Sequence, residues 1–144
     1  MKKLPKIVID TNLLVASHFN KKSASFKILK LIQKRKVKNY WSRKIKEEGE
    51  RIVFGNIKAN KNFLKKFQSI FQKECEVINP PKIKLIREDP SDNIFLSVAL
   101  ASGADFIISN DFHLLCLKSF ETIKIVKPSQ FLSLIQNEIK ENYF

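Results

Sequence analysis

Four acids in this chain of 144 residues have the types and spacing to do chemistry together: Asp10, Glu48, Asp92 and Asp111. The set contains no His or Cys, so a site assembled from it offers only oxygen. Several carboxylates held close cannot all stay ionised unless something positive lies among them. Hard divalent cations, Mg²⁺ or Mn²⁺, are the natural guests of such a site, one or two ions at a time. An ion of that kind lowers the pKa of a bound water and stabilises the charge of a phosphodiester under displacement, so the chemistry expected is phosphodiester hydrolysis.

For the acids to meet, the elements around them must share an edge. Ile7-Val8-Ile9 runs straight into Asp10-Thr11-Asn12. A short continuous apolar run bounded by polar residues is a strand buried on both faces, as in parallel sheets. Asp10 then ends that strand, on the edge where ligands bind in open α/β sheets. Phe106-Ile107-Ile108 is a second such strand, followed by Ser109-Asn110-Asp111. Asp89-Pro90-Ser91-Asp92 is a helix start, with Ser91 as the cap and Asp92 in the first turn. That helix continues to about residue 102 and stops near Gly103. Right-handed crossovers place strand carboxyl ends and the starts of the following helices on one edge, which gathers Asp10, Asp92 and Asp111.

The fourth acid comes from the helix that Ser42 caps and that runs to about Phe54, where Gly55 and Asn56 are terminators. It offers Glu47, Glu48 and Glu50, with an apolar stripe of Ile45, Ile52 and Val53 and with Gly49 inside it. At about 100° per residue, Glu48 falls roughly 85° from the centre of the stripe, Glu50 about 115°, and Glu47 nearly opposite. Glu48 is therefore the acid best placed to turn inward.

The rest of the chain alternates in the same way. Leu13 to Phe19 is a short helical segment, and Ser17 to Asn20 with the two following lysines is a loop. A helix from Ser23 to about Lys36, a strand from Val37 to Trp41, a helix from Lys58 to Lys73 and a strand from Glu74 to Ile78 follow. Ile83 to Arg87 is extended, since prolines flank it. Leu114 to Leu117 forms a short helix, Thr122 to Val126 a last strand, and Pro128 to Ile139 a closing helix with Pro at its start. Strands alternating with helices give a parallel α/β sheet, and residues 1–144 form one domain.

Composition supplies the partner. Twenty-seven Lys and Arg against 14 Asp and Glu leave a net charge of +13. That imbalance suits a polyanion, with nucleic acid first and a membrane surface or an acidic protein behind it. Cys75 and Cys116 are isolated and read as reduced thiols. Asp10 interrupts the apolar stretch after Lys2 and Lys3 before any signal-peptide core forms. No segment approaches the roughly 18 apolar residues of a membrane span, so a cytoplasmic protein without a membrane partner is expected.

The ordered set of Ile7-Val8-Ile9-Asp10-Thr11-Asn12, Glu48 in a mid-chain helix, Asp92 opening a helix and Ser109-Asn110-Asp111 after a late strand resembles the PIN-domain ribonucleases. The group it is most similar to is the toxin-like prokaryotic one, which includes the VapC toxins. The resemblance implies a three-layer α/β/α fold with a central parallel sheet of four to five strands. It also implies a site of three or four acids with one or two Mg²⁺ or Mn²⁺ ions, and endonucleolytic cleavage of RNA. Asp10 matches the first metal-binding acid, and Glu48 the acid that follows the serine opening its helix, here Ser42. Asp92 matches the acid of an Asp-Pro-x-Asp-Asn stretch, Asp111 the acid after the late strand, and Asn12 and Ser109 the polar residues lining the site. A small antitoxin protein and a homodimer are implied as partners. Related sequences often carry a second acid two residues after the position of Asp111, where this chain has His113.

Plainer readings stand beside these. Asp10 caps the helix that follows it, Asp92 answers only the helix dipole, and Asp89 and Asp105 are turn residues. Phe63, Phe67 and Phe71 pack the core. His18 and His113 lie in exposed loops where RNA can touch them. The rival function is a PIN-like module that binds RNA or a protein and cuts weakly. A phosphoacceptor receiver domain also places an acid after a first strand, but the paired acids expected there are absent.

Overall fold

Ile7, Val8 and Ile9 are all buried, although successive side chains on a strand point to opposite faces. Both faces of the first strand must therefore be covered, which requires a sheet with helices on each side. A computed structural model describes residues 3–56, 61–87 and 90–143 and has this architecture. In chain order it contains β1 (Lys6–Ile9), α1 (Asn12–Phe19), α2 (Ala24–Gln33), β2 (Lys38–Asn39), α3 (Arg43–Asn56) and α4 (Lys61–Ser69). It continues with α5 (Asn93–Ser102), β3 (Phe106–Ile108), α6 (Phe112–Leu115), β4 (Ser119–Phe120), β5 (Ile123–Val126) and α7 (Pro128–Tyr143).

The five strands lie in the order β2-β1-β3-β5-β4. β1 pairs in parallel with β2 and β3, and β3 in parallel with β5. Only the edge strand β4 is antiparallel, through a short hairpin to β5. The chain leaves β1 toward one side of the sheet and returns to β3 on the other, so the β1/β3 junction is a topological switch point. Register fixes what meets there: Ile7 pairs with Phe106, Val8 with Ile107 and Ile9 with Ile108. One step further along, Asp10 lies beside Ser109. The Asp10 N–H still donates to the Ile108 carbonyl at 2.9 Å, and the Ser109 N–H to the Val126 carbonyl at 3.0 Å.

Helices seal the sheet. α5 packs on β1 and β3 and meets α3, while α7 packs on β3 and meets α2. Phe131 of α7 meets Phe106 of β3 edge-on at 5.2 Å between ring centres. α5 ends because Gly103 adopts a left-handed conformation (φ 68°), as a helix-stopping glycine should. Phe63, Phe67 and Phe71 are buried, with Phe67 and Phe71 in edge-to-face contact, so this stripe is core. Asp105 serves the other end of the sheet, where its Oδ2 accepts the Lys6 N–H at 2.9 Å.

Several boundaries differ from the sequence expectations. The sheet is mostly parallel with five strands, as expected, and its one antiparallel member, the two-residue edge strand β4, is the addition that the sequence did not suggest. The stretch Glu74–Ile78 is not a strand: a 3₁₀ turn occupies Lys73–Cys75, and one parallel bridge joins Trp41 to Glu76. α1 runs through His18 to Phe19, so the loop is confined to residues 20–22. His18 is half-buried and packs edge-on to Phe63 at 4.6 Å, not out in a loop. α3 continues through Gly55 to Asn56, α2 stops at Gln33, and α4 starts at Lys61. The expected start of that helix at Lys58 lies outside the described residues, as does Asp89. Cys75 and Cys116 are both free thiols, the first buried and the second exposed.

Candidate active site

Asp10 is the centre of the carboxyl edge and is only 3% exposed. Its Oδ1 accepts the Asn12 N–H at 3.0 Å, the local bond expected of an acid before a helix. Its Oδ2 accepts the Ser109 hydroxyl at 2.7 Å, from a residue 99 positions away. That second bond is a tertiary one that helix capping does not require. Ser109 is fully buried, and its Oγ also accepts the Asp111 N–H at 2.9 Å. One hydroxyl therefore ties the acid ending β1 to the acid following β3. Asp111 in turn opens α6, where its Oδ1 accepts the His113 N–H at 2.7 Å.

Electrostatics follow from this packing. Burial pushes the Asp10 carboxyl above the ordinary carboxylate range, and the nearby Asp111 charge pushes it the same way. The bonds from Asn12 and Ser109 pull it back down without cancelling the burial. An ionised Asp10 is thus short of positive charge, which is what a divalent cation provides.

Asp92 is 5% exposed and occupies the N-cap position of α5, after a 3₁₀ turn at Pro90–Asp92. Ser91 is not the cap, because Pro90 starts that turn and delays α5 by one residue. The Asp92 side chain makes no capping hydrogen bond to its helix, so helix capping does not account for an acid here. Asn93 fixes the approach to it: its Oδ1 accepts the Leu85 and Ile86 N–H groups at 3.1 and 2.9 Å, and its Nδ2 donates to the Ile86 carbonyl at 2.9 Å. Glu48 on α3 is half-buried, with Arg51 Nη2 3.9 Å from its Oε1, whereas Glu47 is exposed.

α3 comes close because of Gly49. A Cβ at that position would stand 2.9 Å from Thr11 Cγ2 and 3.2 Å from Thr11 Cβ. Thr11 follows Asp10 directly, is fully buried, and carries an Oγ1 with no hydrogen bond. Neither Gly49 nor Thr11 was singled out as functional by sequence reasoning. The available signal was a glycine inside a helical pattern, which often marks a close backbone approach.

The structure joins Asp10, Ser109 and Asp111 in one hydrogen-bonded chain and places Asp92 at the N-cap of α5 and Glu48 on α3. It does not draw three carboxylate, His or Cys side chains into one metal-holding group among the described residues. The donors nonetheless suit a hard cation: buried carboxylate at Asp10 and Asp92, carboxylate at Asp111, and a buried hydroxyl at Thr11 whose oxygen accepts nothing. No helix among the described residues is long and apolar enough to cross a membrane.

Comparison with known proteins agrees with the fold. An uncharacterized protein of Methanocaldococcus jannaschii is 31% identical over 139 residues, covering 88% of this chain and 89% of that protein. Residues 6–113 match the PIN domain, a span that holds all four acids. The chain belongs to the PIN domain family, generally one of metal-dependent nucleases.

Proposed function

We propose that this protein is a Mg²⁺- or Mn²⁺-dependent endoribonuclease and the toxin component of a toxin–antitoxin pair, cutting single-stranded or structured RNA. The observation that carries the reading is the hydrogen-bonded Asp10–Ser109–Asp111 chain at the β1/β3 switch point, with Asp10 and Ser109 buried, in a protein of net charge +13. In this reading Asp10, Glu48, Asp92 and Asp111 hold one or two ions, and Asn12 and Ser109 support them. A bound ion there supplies a more acidic water and neutralises developing phosphate charge. Ser109 and the Asn12 N–H hold the Asp10 carboxylate in one orientation, and the surplus lysines hold the polyanion. A small antitoxin and a second copy of the chain are the proposed protein partners.

Cleavage of end-labelled single-stranded RNA by wild type and Asp10→Asn, in Mg²⁺, Mn²⁺ and EDTA, tests the proposal. Cutting by wild type alone, lost in EDTA, is expected. Retained cutting by Asp10→Asn overturns it. The second reading, a module that binds RNA or protein and cuts weakly, is favoured by one feature: Asp111 Oδ1 is committed to capping α6. RNA retention without products in either metal would select that reading.

A further inference from the structure

Phe112 is 74% exposed, more than Phe54 at 62%. It sits one residue after Asp111, on the carboxyl edge that carries the candidate site. The backbone that carries it is anchored. The Asp111 cap at His113 N–H holds the start of α6, and fully buried Leu114 pins the helix to the body of the protein. The His113 ring stands beside the Phe112 ring at 6.0 Å between centres and 66° between planes. A protein-docking face is a contiguous apolar patch. Here the aromatic ring is flanked along the chain by an acid and a histidine, and Leu115, three residues on, is packed against the core rather than exposed beside it. A solvated ring one residue from a candidate site acid, in a chain of +13, has the complement of an unpaired nucleobase attached to a polyanionic backbone.

We propose that Phe112, with His113 beside it, is a stacking platform that holds one unpaired base of a single-stranded RNA next to the phosphate presented to Asp10 and Asp111. The inference rests on the nuclease reading above for its choice of phosphate, but the platform itself is a binding feature and works without a metal.

The test is a binding titration in EDTA with single-stranded oligoribonucleotides carrying 2-aminopurine at successive positions, using wild type, Phe112→Ala and Phe112→Trp. Quenching at one position by wild type is expected, with loss of the quench and about 10-fold weaker binding in Phe112→Ala, in line with the alanine cost of one base–aromatic stack. Phe112→Trp should retain both. The exposure of the ring means that all three proteins should melt together. Equal affinity and equal quenching in Phe112→Ala overturn the platform. So does a Phe112→Ala protein that binds RNA normally but loses self-association in sedimentation, which would make the ring a protein contact. If wild type stacks the base but never cuts in Mg²⁺ or Mn²⁺, the nuclease reading falls and the platform stands. If Phe112→Ala cuts with unchanged KM and kcat, the platform falls and the nuclease reading stands.

Discussion

Replacing Ser109 with alanine should be the most informative single change to the site, because one hydroxyl makes both the side-chain bond from the end of β3 to Asp10 and the local bond that holds the Asp111 backbone. The hydroxyl donates to Asp10 Oδ2 at 2.7 Å and accepts the Asp111 N–H at 2.9 Å, at a fully buried position. A hydrogen bond to a charged acceptor contributes about 1.5–3 kcal/mol and one between neutral groups about 0.5–1.5 kcal/mol. Ser109→Ala, which removes both and fills no new space, should therefore cost about 2–4 kcal/mol at neutral pH. For a domain of this size that is a fall in Tm of roughly 6–12 °C. Urea unfolding at pH 7 in EDTA measures it, with an unchanged m-value as the sign that only stability has moved. The pH dependence provides an internal check. Ser109 lowers the pKa of Asp10 relative to what burial alone would make it. Its contribution is therefore present when Asp10 is ionised and shrinks as pH falls through the raised Asp10 pKa. The cost of Ser109→Ala should be smaller in acid than at pH 7, and the Asp10 carboxyl resonance should titrate higher in the variant. A loss below about 0.5 kcal/mol at pH 7, or one that grows in acid, would refute the claim that this hydroxyl holds an ionised Asp10.

Three other changes probe the neighbouring supports. Asp10 has a folded-state pKa above its unfolded value, so it costs the metal-free fold stability that falls away as pH rises from the unfolded pKa through the folded one. Asp10→Asn should accordingly be at least as stable as wild type at pH 7 in EDTA, and Mg²⁺ should raise the Tm of wild type only; a variant that is less stable in EDTA contradicts the sign. Gly49→Ala sets a methyl 2.9 Å from Thr11 Cγ2. Overpacking of about 1–3 kcal/mol against a helix-propensity gain of about 1 kcal/mol leaves a net loss of about 1 kcal/mol. Thr11→Ser deletes that methyl and should relieve the loss in a double-mutant cycle, whereas additive effects would show that the contact is not the cause. Asn93→Ala removes three hydrogen bonds to Leu85 and Ile86 and should cost about 2–4 kcal/mol. It should also speed amide exchange at residues 85 and 86, and unchanged exchange there would count against the clasp.

What the sequence made legible was whatever rests on short-range pattern. β1 and β3 announced themselves because three apolar residues in a row suit a strand covered on both faces, and their polar ends marked the edge. The helical wheel separated Glu48 from Glu47 because burial in α3 follows its apolar stripe, and Glu48 is indeed the more buried of the two. What failed was set by tertiary contact. Glu74–Ile78 has strand-like residues, yet Trp41 pairs with it only once, through its N–H to the Cys75 carbonyl and its carbonyl to the Val77 N–H, and Ile78 is left exposed. β4 is a two-residue strand created by the turn at Glu121 (φ 55°), too short for any periodicity to register. Gly49 looked like a weak point in a helix, and its purpose appears only when Thr11 is seen against it.

Charge and burial conflict at the candidate site. A buried carboxylate lowers the stability of a fold unless bonds or opposite charge offset it, and among the described residues two are buried, Asp10 and Asp92, while the 27 Lys and Arg of the chain leave +13. If stability alone governed these positions, an isosteric amide at residue 10 would serve better: one side of it could accept the Asn12 N–H and the other donate to Ser109. The sequence instead keeps an acid, binds each of its oxygens to a fixed donor, and sets a second acid one hydroxyl away. Such local conflict between charge and burial is expected where function overrides the consistency of the fold. It falls at the β1/β3 junction, where the chain's course turns from one side of β1 to the other and where open α/β sheets bind ligands.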